Sequence, residues 1–267
     1  MIPGLTRLDV LAGLAATMSL GGVTAARAQA GPVIAAAASL QSVLPKVVEA
    51  FRAQGGGPVR LVFGSSGAIT TQIEQGAPFE LFLSADRPYV ARLAARGLTL
   101  DGGVPYAEGR IALFVPTGSR LKADGQLKDL AAALKDGRLR RLAIANPDHA
   151  PYGRAAREAL THAGLWGTIQ PRLVVGENIA QAAQFASTGA AQGGVIAWSL
   201  AVAPELARRG RSALIPGGWH QPLEQQMVLL KGAGPIAWAF YGYLRGAAAR
   251  AILDRYGFVL PARGAIS

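Results

Sequence analysis

The chain has no cysteine in its 267 residues. That removes any disulfide framework, thiolate metal site or cysteine nucleophile, and it removes lipid attachment through a lipobox cysteine. An oxidising compartment stays open, because exported proteins need not use disulfides. Histidine is scarce as well. His149, His162 and His220 are the full set, with no i, i+4 pair and no HExxH context, so nothing supports a histidine-built zinc site. No Walker loop occurs, and no GxGxxG follows a strand. Gly64-Ser65-Ser66-Gly67 lacks the Gly-x-Ser-x-Gly spacing of a nucleophile elbow. Acidic residues are also few, 16 against 27 basic ones, and the net charge is +11. Such a balance suits an anionic partner. The densest basic clusters, Arg138-Leu139-Arg140-Arg141 and Arg208-Arg209-Gly210-Arg211, carry no interleaved aromatics. They read as solvated surface, and no nucleic-acid partner is expected.

The remainder is globular in character. Hydrophobic residues make up 51% and charged residues 16%, a balance that favours a packed core over disorder. The length allows one large domain or two modest ones. Residues 1–30 read as a signal peptide: Arg7 is the basic start, 10–23 is mostly apolar, and Ala26-Arg27-Ala28 and Ala28-Gln29-Ala30 are overlapping small-x-small cleavage sites. The apolar run is shorter than the ~20 residues of a spanning helix. A soluble chain exported to a periplasm is expected.

Periodicity gives the elements. Strands are expected at 32–38, 59–63 and 81–83, alternating with helices that carry Val47, Val48 and Phe51, then Ile69 and Ile73, then 88–95. Ser39 is the natural cap of the first helix, although Pro45 would then fall beyond its first turn, so that helix could instead start at Ser42. A second αβ series follows: strands at 111–115, 142–145, 173–175 and 194–197, and helices at 127–134, 154–163 and 179–186. A strand at 226–230 and one long helix over 235–256 end the chain. The β-α-β rhythm predicts mostly parallel sheets flanked by helices, in two lobes. Ligands of such sheets bind where strands end and helices begin.

Several of those junctions carry candidate donors. Ala38-Ser39 and Ser65-Ser66-Gly67 are two strand-to-helix junctions of the first half that carry serine. Tyr152 precedes a helix in Ala150-Pro151-Tyr152-Gly153, and Ile179 opens one after Gly176-Glu177-Asn178. A helix start offers free N–H groups and a partial positive charge, and hence an anion site without a formal cation. Serine also caps helices with no other role.

In this setting the chain resembles the periplasmic molybdate-binding proteins of ABC importers, which have the type II periplasmic solute-binding fold. The resemblance runs through Ala36-Ala37-Ala38-Ser39-Leu40, Phe63-Gly64-Ser65-Ser66-Gly67, 76–86, 146–153, Gly176-Glu177-Asn178-Ile179 and the stretch from Tyr243 to Phe258. It implies an α/β chain of two lobes, 31–109 with 220–267 and 110–219. The crossings would lie near Glu108-Gly109-Arg110 and within 216–225, and the lobes would close on the ligand. It carries the oxyanion contacts to Ser39, Ser66, Tyr152 and Ile179, with Ala38 and Ala197 as possible additions. Some family members have a contacting tyrosine where this chain has Ala197; this chain looks like the branch that uses Tyr152. Binding without turnover, no cofactor, no direct cation ligand, molybdate or tungstate as the ligand, a membrane permease as partner and a monomeric state are what the resemblance implies. Rival readings are the same fold with sulfate or an organic anion, a sensory domain, and a secreted hydrolase using Ser66.

Overall fold

A computed structural model describes residues 31–262. The expected signal peptide lies outside the described residues. Two five-stranded sheets carry the fold, with strand orders β2-β1-β3-β10-β4 and β7-β6-β8-β5-β9. In the first, β1 (Val33–Ala37) pairs in parallel with β2 (Arg60–Gly64) and β3 (Leu81–Ser84), and β10 (Leu223–Leu229) runs antiparallel between β3 and β4 (Val104–Gly109). The second repeats this plan. β6 (Leu142–Ala145) is parallel to β7 (Leu173–Gly176) and β8 (Gly193–Ala197), and β5 (Ile111–Pro116) runs antiparallel between β8 and β9 (Gly210–Leu214). The chain leaves the first sheet at Gly109, enters the second at Ile111, and returns between Leu214 and Leu223.

The central parallel strands β1, β3, β6 and β8 are buried and nearly uniformly apolar, as strands covered on both faces must be, whereas the edge strands β2 and β7 are partly exposed. Ile34, Ala36, Leu81 and Leu83 pack on Leu44, Val47 and Phe51 of α1 (Leu44–Ala53). Ile69 and Ile73 of α2 (Ser66–Glu74) and Val90 and Leu93 of α3 (Arg87–Ala95) cover the other face with Phe82. In the second lobe Ile144 and Phe114 share a core with Leu130 of α4 (Lys128–Lys135), Leu160 of α5 (Pro151–His162) and Ala182 of α6 (Ile179–Ser187). That core continues into Ala37, Ala38 and Ala85 of the first lobe, so the lobes are packed together across their cleft.

Several sequence expectations need correction. Ser39 does not cap the long helix. It lies in a 3-10 turn, Ala38–Leu40, and α1 starts at Leu44, which places Pro45 in the first turn where its missing N–H costs nothing. The helix expected at 154 starts at Pro151, so Tyr152 belongs to its first turn. The long C-terminal helix is two, α7 (Pro235–Arg245) and α8 (Ala247–Arg255), because Gly246 adopts an extended ψ of 162°. Strands β4 and β9 were not expected. Pro105 and Glu108 blur the first, and the second begins within the Arg208–Arg211 cluster, which is therefore part edge strand. Arg138 is more than solvated surface: it pairs with Asp136 at 2.8 Å and Asp129 at 3.3 Å.

Candidate functional site

Four chain segments meet in the cleft between the lobes. Each follows the carboxyl end of a parallel strand: the 3-10 turn after β1, α2 after β2, α5 after β6 and α6 after β7. They line a small cavity with Ala38, Ser39, Ser66, Tyr152 and Ile179, together with Ala37, Gly64, Ser65, Ala85, Ala150 and Pro151. The cavity is small, about 10 Å³. All four residues expected at the site are brought together there. Ala38 also lines it. Ala197 does not; it is buried at the end of β8. Among the described residues no lysine or arginine reaches the lining.

What the cavity does have is unspent hydrogen-bond donors. The Ser66 hydroxyl accepts from the Ala85 N–H at 2.9 Å, which leaves its own hydrogen free to donate. The Tyr152 hydroxyl accepts from Gln225 Nε2 at 2.8 Å and is likewise left with its hydrogen. The Ser39 hydroxyl is fully buried and has no partner of acceptable geometry among the described residues, although it lies close enough to the Tyr152 phenol to favour that group's ionisation. Backbone groups add to these. Ser65 caps α2 through Ala68, and Asn178 caps α6 through Ala180 and Gln181. The N–H groups of Ser66, Tyr152 and Ile179 find no acceptor among the described residues. Buried donors left unpaired are costly, on the order of 1–3 kcal/mol each. Their convergence on one cavity therefore marks it as a place for an acceptor-rich ligand.

The phenols stay neutral. Burial pushes the Tyr152 hydroxyl well above the ordinary tyrosine range, against the opposing influence of Ser39 and Gln225, and burial pushes Tyr106 well above it too. Each raised pKa is a stability contribution present below the unfolded value of 10.0 and lost as pH rises beyond it, since the unfolded tyrosines then release protons that the folded ones keep. The melting temperature is therefore expected to hold from pH 7 to about 9 on this account and to fall above about 10. A double Tyr106→Phe, Tyr152→Phe variant should lose part of that alkaline slope in a pH series of thermal melts.

Direct contacts join the two lobes across the cleft. Gly67 N–H donates to the His149 carbonyl at 3.0 Å, and Tyr89 donates to the same carbonyl at 3.3 Å. Ser65 Oγ and His149 Nδ1 are 2.9 Å apart. Ser199 donates to the Ser39 carbonyl at 2.8 Å. Arg154 binds Asp86 at 2.7 Å, and burial nevertheless holds the Asp86 carboxyl above its usual range because desolvation outweighs the arginine. Gly67 is required here. A Cβ on it would lie 2.6 Å from the His149 carbonyl oxygen.

Sequence reasoning missed Gln225, Tyr106, Asp86, Arg154 and the role of Gly67. One signal was available. Leu223, Gln225 and Met227 alternate inward on β10, and a glutamine between two core positions is a buried polar group in need of partners.

Known proteins share this fold. The profile of the bacterial extracellular solute-binding proteins matches residues 32–259. The molybdate-binding protein ModA of Rhodobacter capsulatus is 37% identical over 87% of this chain and 90% of its own length. That of Azotobacter vinelandii is 36% identical over 90% and 94%. The solved Azotobacter vinelandii periplasmic molybdate-binding protein superposes with a TM-score of 0.77 at 30% identity, over 86% of this chain and all of that one. The sulfate-binding protein SubI of Mycobacterium tuberculosis shares the fold at 17% identity and a TM-score of 0.70, covering 88% of each chain. The chain thus belongs to the bacterial extracellular solute-binding protein family, where it stands with the molybdate-binding members.

Proposed function

We propose that this protein captures molybdate, with tungstate as an alternative ligand, and hands it to an ABC-type importer. The observation that carries this reading is the convergence of unspent, uncharged donors from four strand-to-helix junctions on one small cavity with no cation among the described residues of its lining. Ser39 and Ser66 give hydroxyl and backbone donors, Tyr152 its N–H and phenol, and Ile179 its N–H. Ala38 contributes to the wall. Ala197, set back at the end of β8, has no part.

Neutral donors suit a capture-and-release cycle. A hydrogen bond to a charged group contributes roughly 1.5–3 kcal/mol net, so several reach the −8 to −12 kcal/mol of micromolar-to-nanomolar binding. No buried cation is stranded when the ligand leaves. The lobes are residues 31–109 with 220–267, and 110–219. They hinge at 108–110 and 216–225, so each lobe brings half of the donors and closure assembles the set. The net charge of +11 aids capture of an anion at low salt. Residues 1–30 direct export to the periplasm, where the mature chain works as a soluble monomer and docks on the permease. The oxyanion is cargo, and no cofactor takes part.

A hydrolase reading finds little support. Ser66 has no histidine beside it, and the histidine of the cleft pairs with Ser65, which is already spent as a helix cap.

Titration calorimetry tests the proposal. Molybdate and tungstate are expected to bind tightly at 1:1, and sulfate about a hundredfold more weakly, a gap of roughly 2.7 kcal/mol set by cavity size. Silence toward molybdate and tungstate, or preference for sulfate, would refute it.

A further inference from the structure

A buried polar chain connects the ligand cavity to the place where the polypeptide crosses between the lobes. Tyr106 is on β4 and Gln225 on β10, both in the first lobe; Tyr152 is on α5 in the second. All three side chains are buried, with Gln225 at 0% exposure. The Tyr106 hydroxyl lies 2.6 Å from Gln225 Oε1, and Gln225 Nε2 lies 2.8 Å from the Tyr152 hydroxyl. The first distance suits an O–H···O bond and the second an N–H···O bond, which fixes the amide with its oxygen toward Tyr106. The Ser84 carbonyl, at 3.3 Å, is the weaker alternative for the Tyr106 proton.

Local structure builds this arrangement on purpose. The β10–β4 register shifts between Gln225 and Gln226, a bulge of the kind that re-aims side chains. Gly109, the last residue of β4 before the crossing, leaves the space. A Cβ there would lie 2.2 Å from the Tyr152 oxygen and 2.7 Å from Gln225 Nε2.

We infer that Tyr106 and Gln225 are positioning residues that commit the Tyr152 hydroxyl to donate into the ligand cavity, and that they do so only when the lobes are closed. Tyr106 donates to the amide oxygen, so the amide must present its N–H to Tyr152. That N–H occupies a lone pair of the phenol. Among the described residues the phenol hydrogen is then left with the neighbouring Ser39 hydroxyl, itself part of the cavity wall, and with whatever the cavity holds. A flipped amide would present its oxygen to Tyr152, draw the hydrogen away, and turn a donor wall into an acceptor that repels an oxyanion. The amide and the phenol sit on different lobes, so opening the cleft breaks the commitment and releases the ligand's partner. This rests on the oxyanion reading of the cavity and explains how one of its donors is switched.

The test is a double-mutant cycle read by titration calorimetry with molybdate, using the full mature protein. Tyr106→Phe keeps the ring and removes only the proton that orients the amide. It is expected to weaken molybdate binding about threefold to tenfold, as loss of one neutral hydrogen bond does. Tyr152→Phe is expected to weaken it roughly tenfold to a hundredfold. In the Tyr152→Phe background, Tyr106→Phe should cost nothing further. A merely structural Tyr106 would cost the same in both backgrounds, and that result overturns the inference. Gln225→Glu provides an independent variant, read at a pH high enough to ionise its buried carboxyl: the carboxylate can then only accept, so it should take the Tyr152 hydrogen and lower affinity at least about a hundredfold. Unchanged binding by a folded Gln225→Glu protein overturns the relay while leaving the oxyanion assignment intact. Failure of the unsubstituted protein to bind molybdate overturns both together.

Discussion

Gly67→Ala is expected to cost at least about a hundredfold in molybdate affinity while leaving the melting temperature of the ligand-free protein nearly unchanged. The added methyl would lie 2.6 Å from the His149 carbonyl oxygen, a backbone atom of the opposite lobe that cannot rotate away. The Gly67 N–H to His149 bond, 3.0 Å long, would stretch with it. Relief comes from holding the cleft slightly open. On the proposed hinge, opening would carry the methyl away from His149, so folding of each lobe would be spared. Ligand binding is not, because Ser39 and Ser66 stand on one lobe and Tyr152 and Ile179 on the other, and hydrogen bonds fall off steeply with misplacement. Small-angle scattering should show the unsubstituted protein compacting with molybdate and Gly67→Ala compacting less. Equal affinity and equal compaction would mean that closure does not assemble the site.

Ser66→Ala is expected to act on both binding and stability, in contrast to Gly67→Ala. The hydroxyl does two jobs: it accepts the Ala85 N–H at 2.9 Å and keeps a hydrogen for the ligand. Ser66 is fully buried, so alanine leaves the Ala85 N–H unpaired at a cost of about 1–3 kcal/mol, seen as a lower denaturant midpoint with an unchanged slope. Affinity should fall roughly tenfold to a hundredfold through the lost hydrogen bond to the dianion. Ser39→Ala makes the useful contrast. Its hydroxyl has no partner of acceptable geometry among the described residues, only the nearby Tyr152 phenol, so its removal should weaken binding by a similar factor while stability stays nearly the same. Equal stability losses for the two serines would contradict the account of which hydroxyl is structurally engaged.

Much of this was legible in the chain itself, for identifiable reasons. Buried parallel strands such as Leu142–Ala145 announce themselves as short apolar runs, and the helices between them as 3.6-residue periods. The junctions that follow those strands could therefore be located, and with them Ser39, the Ser65-Ser66 pair, Tyr152 and Ile179; the resemblance then singled out Ser66. What stayed hidden depends on contacts distant in sequence. That Ser65 and not Ser66 caps α2 is decided by a hydrogen bond to Ala68, and that Ser66 faces Ala85 is decided by β3. Tyr106 and Gln225 lie 119 positions apart and meet only because β10 inserts beside β4. Gly67 and Gly109 look like any loop glycines; their meaning comes from the opposite lobe, through His149 and Tyr152. Local propensity fixes where a junction lies, and tertiary contact decides which of its atoms remain free.

The measurement that bears most directly on the central claim is anomalous X-ray scattering at the molybdenum edge from crystals of the mature protein grown with molybdate. The expected result is a single molybdenum atom between the 3-10 turn after β1 and the starts of α2, α5 and α6, its oxygens facing the hydroxyls of Ser39, Ser66 and Tyr152 and the N–H of Ile179, with no lysine or arginine in contact. Molybdenum bound elsewhere, or held by a cationic side chain, would contradict the assignment of this cavity as a neutral, donor-lined oxyanion site.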